Sequence, residues 1–279
     1  NDMNELRKLQ KKELEILTAV VKVCEENNIK YIIMHGTLLG AVRHQGFIPW
    51  DDDIDICMPR ESYDKFIDIG EKFLPSNLKI QHYKTEENCP NIFAKVRDEN
   101  TIFLQKEHVD LDINQGVFID IFPLDRIKKG NHQIAKEYWR KGIFNILNEC
   151  YDIGYVKGIK RKSSVLIGYS IHFILWKGLW RFVDRNKFIE REDKRRKKLH
   201  ETGDDCVFYS VDRKVVGKYS RITERKKYLF EGQEFWGPKN YDEVLKKLYG
   251  EYMVIPAEKD RITHQPLKVE LECNNIEEK

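Results

Sequence analysis

The chain has 279 residues, 41% of them hydrophobic and 34% charged, which suggests one large domain or two small ones with a real core and excludes a collagenous, low-complexity or largely disordered polymer. No run reaches the ~20 apolar residues that span a bilayer, and no apolar stretch with a small-residue cleavage site opens the chain, so neither a conventional transmembrane helix nor a secretion signal is expected in it. The 49 Lys and Arg nearly balance 46 Asp and Glu, and the net charge of +3 by itself names no partner.

In chain order, Asn4 to Asn27 reads as an amphipathic helix, with Leu6, Leu9, Leu14, Leu17, Val20, Val21 and Cys24 near the 3.6-residue period. Lys30 to Met34 is a short, partly β-branched apolar run that predicts a buried strand. His35-Gly36 reads as a turn and Thr37 as the cap of a short helix, Leu38 to Arg43. Asp53 to Met58 alternates as a strand does, with Pro59 ending it, and Glu61 to Phe73 returns to helical spacing. Strands are expected at Leu78 to Tyr83, Ile92 to Val96, Thr101 to Leu104 and Val117 to Phe122, the last closed by Pro123. Helices are expected at Gln133 to Tyr151, Ser163 to Val183 and Asn186 to His200. A hairpin strand at Tyr228 to Phe235, a break at Gly237-Pro238 and a last short helix at Tyr241 to Tyr249 complete the reading. Strands cluster early and helices follow, which predicts an α+β protein. Its parts are a catalytic core over 1–125, a helical insertion over 126–205 and a C-terminal segment over 206–279 that packs back on the core.

Charge is uneven along this order. Lys157 to Lys198 holds 14 basic and 4 acidic residues, a net of +10 that leaves −7 for the rest. Inside it, Val165 to Trp176 is apolar and aromatic with basic flanks, so residues 160–185 are a candidate peripheral membrane contact, the alternative being a core or interface helix. No RNP, KH or zinc-finger pattern accompanies the basic block, and no nucleic-acid partner is expected. The six cysteines form no C-x-x-C pair and read as free thiols of a reducing cytoplasm.

The chemistry concentrates in His35 to Arg60, HGTLLGAVRHQGFIPWDDDIDICMPR. Strand alternation puts Asp51, Asp53 and Asp55 on one face. Ionised carboxylates so close repel, and burying them is costly unless a cation is present. Oxygen-only ligands at i and i+2 suit a hard ion, Mg²⁺ or Mn²⁺. Asp120, in the middle of the apolar run GVFIDIFPLD, is the candidate third ligand, while Asp125 reads as a turn residue. Gly36 and Thr37 can hold a phosphate on exposed helix-start amides. A strand, a G-[ST] turn, a helix and then D-x-D on the next strand is the layout of the nucleotidyltransferase fold with its mixed sheet. Trp50 is expected to pack beneath the carboxylate strand, and His44 and His264 are read as ordinary polar residues.

With these residues in view, the chain resembles the LicD family, whose eukaryotic relatives include fukutin-related protein. The resemblance covers His35 to Arg60, continues through AKVRDENT (94–101) and VFIDIFPLD (117–125), and ends in WGPKNYDEVLKKLYGEYM (236–253), with nothing matched over about 126 to 220. His35 stands where a Gly or Ser is also expected. The resemblance implies a Mg²⁺-dependent phosphotransferase that moves phosphocholine, or a related phospho-alcohol, from a CDP-linked donor such as CDP-choline onto a glycan or teichoic acid precursor. In that scheme Asp53, Asp55 and Asp120 hold metal and Asp120 takes the acceptor hydroxyl's proton. Gly36, Thr37, Arg43, Lys95 and Arg97 bind the donor. The expected acceptor is lipid-linked, and the expected location is the cytoplasm, peripheral on the inner face of the membrane. A nucleotidyltransferase that releases pyrophosphate and a non-catalytic membrane- or polyanion-binding module remain the alternatives.

Overall fold

The computed structural model describes residues 2–106, 108–109, 111–155, 184–205, 207–208, 215–261, 263 and 266–272. The expected helix over 163–183 and the candidate membrane contact within 160–183 lie outside the described residues, as do Cys206, His264 and Cys273. In chain order the elements begin with α1 (Asp2–Glu26), β1 (Ile32–Ile33), α2 (His35–His44), β2 (Asp55–Pro59), α3 (Arg60–Ile69), β3 (Leu78–Gln81), β4 (Ala94–Asp98), β5 (Ile102–Leu104) and β6 (Val117–Leu124). There follow α4 (Asn131–Tyr155), α5 (Arg185–Thr202), β7 (Val207–Phe208), β8 (Val215–Gly217), α6 (Tyr219–Ile222), β9 (Arg225–Phe230), β10 (Gln233–Pro238), α7 (Tyr241–Tyr249) and β11 (Lys268–Glu270).

The protein is an α+β fold on a mixed five-stranded sheet of order β1-β2-β6-β4-β3. The β2–β6 pair is parallel and the other neighbours are antiparallel. One face of the sheet is apolar through Ile54, Ile56, Met58, Val117, Ile119, Ile121, Ala94 and Val96, all buried. Helix α1 lies on this side, where Lys12 reaches Asp98 at 3.5 Å, and its stripe of Leu9, Ile16, Leu17, Val20 and Cys24 is buried. The opposite face carries the polar residues that build the site.

Several local expectations are corrected. Helix α2 begins at His35, a turn earlier than expected, and Met34 is its N-cap residue. Thr37 therefore does not cap it; its hydroxyl accepts the backbone N–H of Asp55 at 2.8 Å. Pro123 does not close β6, which runs on to Leu124. The Asp120 N–H donates to the carbonyl of Ile54, the residue before β2, so alternation turns the nitrogen of residue 123 toward β4, and that pairing ends at Ala94–Ile121. The missing donor of proline is thus not needed. Residues 51–54 precede the strand, so alternation does not govern Asp51 and Asp53.

The hairpin has two strands, with Glu231 and Gly232 both at positive φ (51° and 79°) in its turn. Gly237 and Pro238 lie inside β10 rather than between elements. A Cβ on Gly237 would stand 2.7 Å from the Tyr228 ring, so the close approach of that ring needs glycine. Phe230, Phe235, Val244, Leu245, Leu248 and Tyr252 share one buried core with the sheet. Glu231 accepts from Arg7 and from the Phe47 N–H, tying the hairpin to α1 and to the loop after α2. Among the described residues no helix is long and apolar enough to cross a membrane, and Cys24, Cys57 and Cys89 are buried.

Asp125 is not a turn residue at the surface. It is 8% exposed and receives a two-pronged grip from Arg60, Nε to Oδ1 at 2.6 Å and Nη2 to Oδ2. Arg60 also bonds Asp193 of α5 at 2.9 Å, and Tyr83 donates its hydroxyl to the same carboxylate at 2.8 Å. Burial pushes the Asp193 carboxyl up, but Arg60, Lys197 and the Tyr83 hydroxyl outweigh it and hold the group below its ordinary value. Arg60→Met should strand two buried carboxylates and cost ~3–5 kcal/mol in urea unfolding. In the wild type the depressed Asp193 contributes stability that is present above the ordinary aspartate range and lost as pH falls below about 4, so the urea midpoint should drop on acidification. A wild-type midpoint in the arginine variant would refute this reading of the hub.

Candidate active site

Register places the chemistry. Asp55 on β2 sits opposite Asp120 on β6, Asp120 opposite Lys95 on β4, and Lys95 opposite Gln81 on β3. Opposed residues point the same way, so these four side chains form a polar row across one sheet face, each no more than 8% exposed. Sequence reasoning named three of the four; Gln81 had no motif to mark it.

The row is balanced internally. Lys95 Nζ lies 2.5 Å from Asp120 Oδ1 and 3.6 Å from the Phe118 ring centroid. Burial, with Arg97 beside it, outweighs the pull of Asp120 and lowers the Lys95 pKa. Arg97 is fully buried: it donates to Gln81 Oε1 at 2.8 Å and to the Gly116 carbonyl at 2.6 Å, and lies over Phe118 at 4.6 Å. It backs the site instead of reaching into it, and burial pushes its guanidinium down to about 10.

His35 adds an interaction that the motif did not announce. Its ring is buried edge-on against Phe122, centroids 5.6 Å apart, and Nδ1 lies 2.9 Å from Asp55 Oδ2. The residue has φ +46°, a left-handed conformation that favours glycine. Directly after it, Gly36 leaves room for Asp51: a Cβ there would meet Asp51 Oδ2 at 2.5 Å. The start of α2, its amides unpaired within the helix, therefore faces the acidic loop.

Around Asp55 and Asp120 the acid density is high. Asp53 is half-buried, and desolvation with the fields of Asp55, Asp51, Asp120 and Glu13 raises its pKa well above the ordinary value. Glu13 of α1, 2% exposed, is raised likewise by burial, Asp52, Asp51, Asp120 and Asp55. Sequence reasoning missed Glu13, although its place between Leu9 and Leu17 at i+4 spacing puts a carboxyl on the buried stripe.

Of the remaining candidates, Arg43 donates to the carbonyls of Tyr252 at 2.6 Å and Val254 at 3.4 Å, which commits it to holding the C-terminal segment. Trp50 packs partly buried against the core, with Arg261 over its ring at 4.2 Å. His44 is half-buried.

Among the described residues no three His, Cys, Asp or Glu side chains are arranged to hold a metal ion. Asp55 and Asp120 are turned instead toward His35 and Lys95. The donor set nonetheless fits a hard divalent cation: it is all oxygen, in excess of nearby cations, and its strain falls on Asp53, whose ionised form is disfavoured until positive charge arrives.

Residues 28–145 match the family described as LicD/FKTN/FKRP, nucleotidyltransferase domain. The lipopolysaccharide cholinephosphotransferase LicD of Haemophilus influenzae is 27% identical over 275 residues, covering 93% of this chain and 95% of that protein. An uncharacterized protein of Rickettsia typhi is 36% identical over 136 residues, covering 46% of this chain and 40% of the relative. One of Rickettsia prowazekii is 32% identical over 135 residues, covering 46% and 48% respectively. The matched span contains the whole polar row and the acidic loop, and it is over residues 28–145 that the chain is similar to the LicD/FKTN/FKRP nucleotidyltransferase domain.

Proposed function

We propose that the protein is a phosphotransferase that moves a phospho-alcohol group, phosphocholine from CDP-choline first among the candidates, onto a hydroxyl of a cell-surface glycan and releases CMP. The observation that carries this reading is the side-by-side placement of Asp55 and Asp120 on adjacent parallel strands, with Asp53 and its displaced pKa beside them. The name of the Haemophilus relative supports choline phosphate as the transferred group and a lipopolysaccharide-type acceptor; a teichoic acid precursor is the other acceptor of the same kind. In this reading the acceptor is lipid-linked and the CDP-linked donor places the reaction in the cytoplasm, at the inner face of the membrane.

Asp53, Asp55 and Asp120 would hold Mg²⁺ or Mn²⁺, which when bound offsets charge on the donor diphosphate and the transferred phosphoryl group. The protein's own groups do the rest. His35 fixes the orientation of the Asp55 carboxylate, and the Thr37 hydroxyl pins the Asp55 backbone while keeping its own proton to donate. The first amides of α2, at Gly36 and Thr37, face a donor phosphate. Asp120 accepts the proton of the attacking hydroxyl, with Lys95 holding its carboxylate and supplying positive charge to the donor. Arg97 keeps β3, β4 and the Gly116 turn in place behind Lys95, and Arg43 keeps the C-terminal segment against α2.

Asp55→Ala and Asp120→Ala should each reduce CMP release from CDP-choline by on the order of a thousandfold or more, Asp55→Ala with a thermal midpoint within a few degrees of wild type and Asp120→Ala with a lower one, because it leaves Lys95 buried without its carboxylate. Transfer at wild-type rates in both variants refutes the assignment. Pyrophosphate in place of CMP would assign the second reading, nucleotidyl transfer, which the description of the matched domain favours.

Asp53 supplies a stability test. Because its folded pKa is raised, the stability it contributes is present below the ordinary aspartate range and lost as pH rises toward the folded value. At neutral pH without divalent cations, Asp53→Asn should therefore melt higher than wild type. Added Mg²⁺ or Mn²⁺ should raise the wild-type midpoint and leave that of the variant nearly unchanged. The reverse order of midpoints in a thermal-shift assay would contradict the acid-cluster account.

His35→Gly removes the contact to Asp55 at a φ that glycine adopts without strain. The fold should persist by circular dichroism while kcat falls by roughly 10- to 100-fold, the usual effect of losing a group that orients a ligand residue. An unchanged kcat would deny His35 that role.

A further inference from the structure

Helix α4 carries a face that is exposed and that no other described residue covers. Trp139 is 70% exposed, Ile143 55% and Tyr138 41%. Trp139 and Ile143 are one turn apart, and Lys136 and Arg140 stand on the same side of the helix. Across from them α5 contributes Phe188 and Arg191. Between the two helices is a hollow of about 570 Å³ with Ile143, Phe144, Leu147 and Phe188 on its walls and Arg140 and Arg191 at its rim.

The charge of this patch is one-sided. Its carboxylates are already matched: Glu137 and Glu192 are held by Arg195 at 2.8 and 2.7 Å, Glu192 also by Arg196 at 3.0 Å, and Glu190 by Lys194 at 2.8 Å. Lys136, Arg140 and Arg191 have no ion pair or hydrogen bond among the described residues. An exposed tryptophan and isoleucine ringed by unmatched cations is the composition of a surface that meets a layer of anions over hydrocarbon.

Charge also selects among occupants. A second copy docked two-fold on this face would set the three cations against themselves. The stretch 156–183 carries six Lys and Arg and no Asp or Glu, so it offers these cations no countercharge.

We propose that the α4–α5 face built from Lys136, Trp139, Arg140, Ile143 and Arg191 is a docking surface for anionic phospholipid. Trp139 and Ile143 sit at the boundary of head groups and acyl chains, and the three cations lie on lipid phosphates. The proposal is independent of the transfer chemistry, since none of these residues belongs to the polar row.

The test is co-sedimentation of the full chain with phosphatidylcholine vesicles, with and without phosphatidylglycerol. The wild type should bind the anionic vesicles at low salt, release at high salt and bind neutral vesicles poorly. Trp139→Ser with Ile143→Ser, and separately Arg140→Gln with Arg191→Gln, should each weaken partitioning by on the order of tenfold, with CMP release onto a soluble acceptor unchanged. The second pair alters only rim side chains, so it keeps the test decisive if the first unfolds. Failure of the wild type to bind, equal binding to neutral vesicles, or wild-type binding by both variants overturns the proposal. So does a dimer in light scattering that Trp139→Ser with Ile143→Ser dissolves while lipid uptake stays the same.

Discussion

The register between β2 and β6 is the constraint on which the rest depends. At one end of this parallel pair Asp55 lies opposite Asp120, an arrangement that like charges resist. Five residues further along each strand come Arg60 and Asp125, joined by a two-pronged ion pair in the interior. The same ladder therefore carries repulsion at its start and attraction just past its end. A slip of one residue would send every side chain of a strand to the opposite face and break the Arg60–Asp125 match at once. The ion pair thus fixes the alignment that keeps two carboxylates adjacent, and Asp193 and Tyr83 extend that anchorage to α5 and the loop after β3.

The sheet spreads the cost of the acid pair over its other strands. Lys95 is placed by the β4–β6 register to face Asp120, and Gln81 by the β3–β4 register to receive Arg97. His35 answers Asp55 from the first position of α2, at the expense of a left-handed backbone. Taken along the row, negative charge on β2 and β6 gives way to positive charge on β4. A donor diphosphate with its counter-ion meets both signs on one surface, which neither half of the row could offer alone.

Much of this was legible in the sequence, for particular reasons. The apolar run around Asp120 and the alternation at DIDICM mark buried strands because a two-residue period has few other readings. The last helix, Tyr241–Tyr249, lies between Asn240 and Gly250 and spans the residues expected of it. The pairing of strands was not legible: nothing local says that β6 inserts between β2 and β4, so neither the Lys95–Asp120 contact nor the row itself could be derived. Asp125 reads as a turn residue and Arg97 as a donor-binding one until their partners, 65 and 16 positions away, are known. Thr37 has the residue type of a cap, but the cap position was already taken by Met34 because the strand hands over to the helix without a loop.

Glu13 shows what the tertiary arrangement adds to a motif. A carboxyl on the buried stripe of α1 would ordinarily be an error of patterning. Here it is brought near Asp51, Asp52, Asp55 and Asp120, and its own burial combines with their fields to favour the proton-bound form. Asp53 is pushed the same way, by desolvation and then by the same neighbours. Both groups lie against the same acidic cluster, Asp53 half-buried and Glu13 buried on the stripe of α1. Positive charge arriving at the site would therefore oppose the shift at both groups, which ties the ionisation of the cluster to the arrival of its counter-ion.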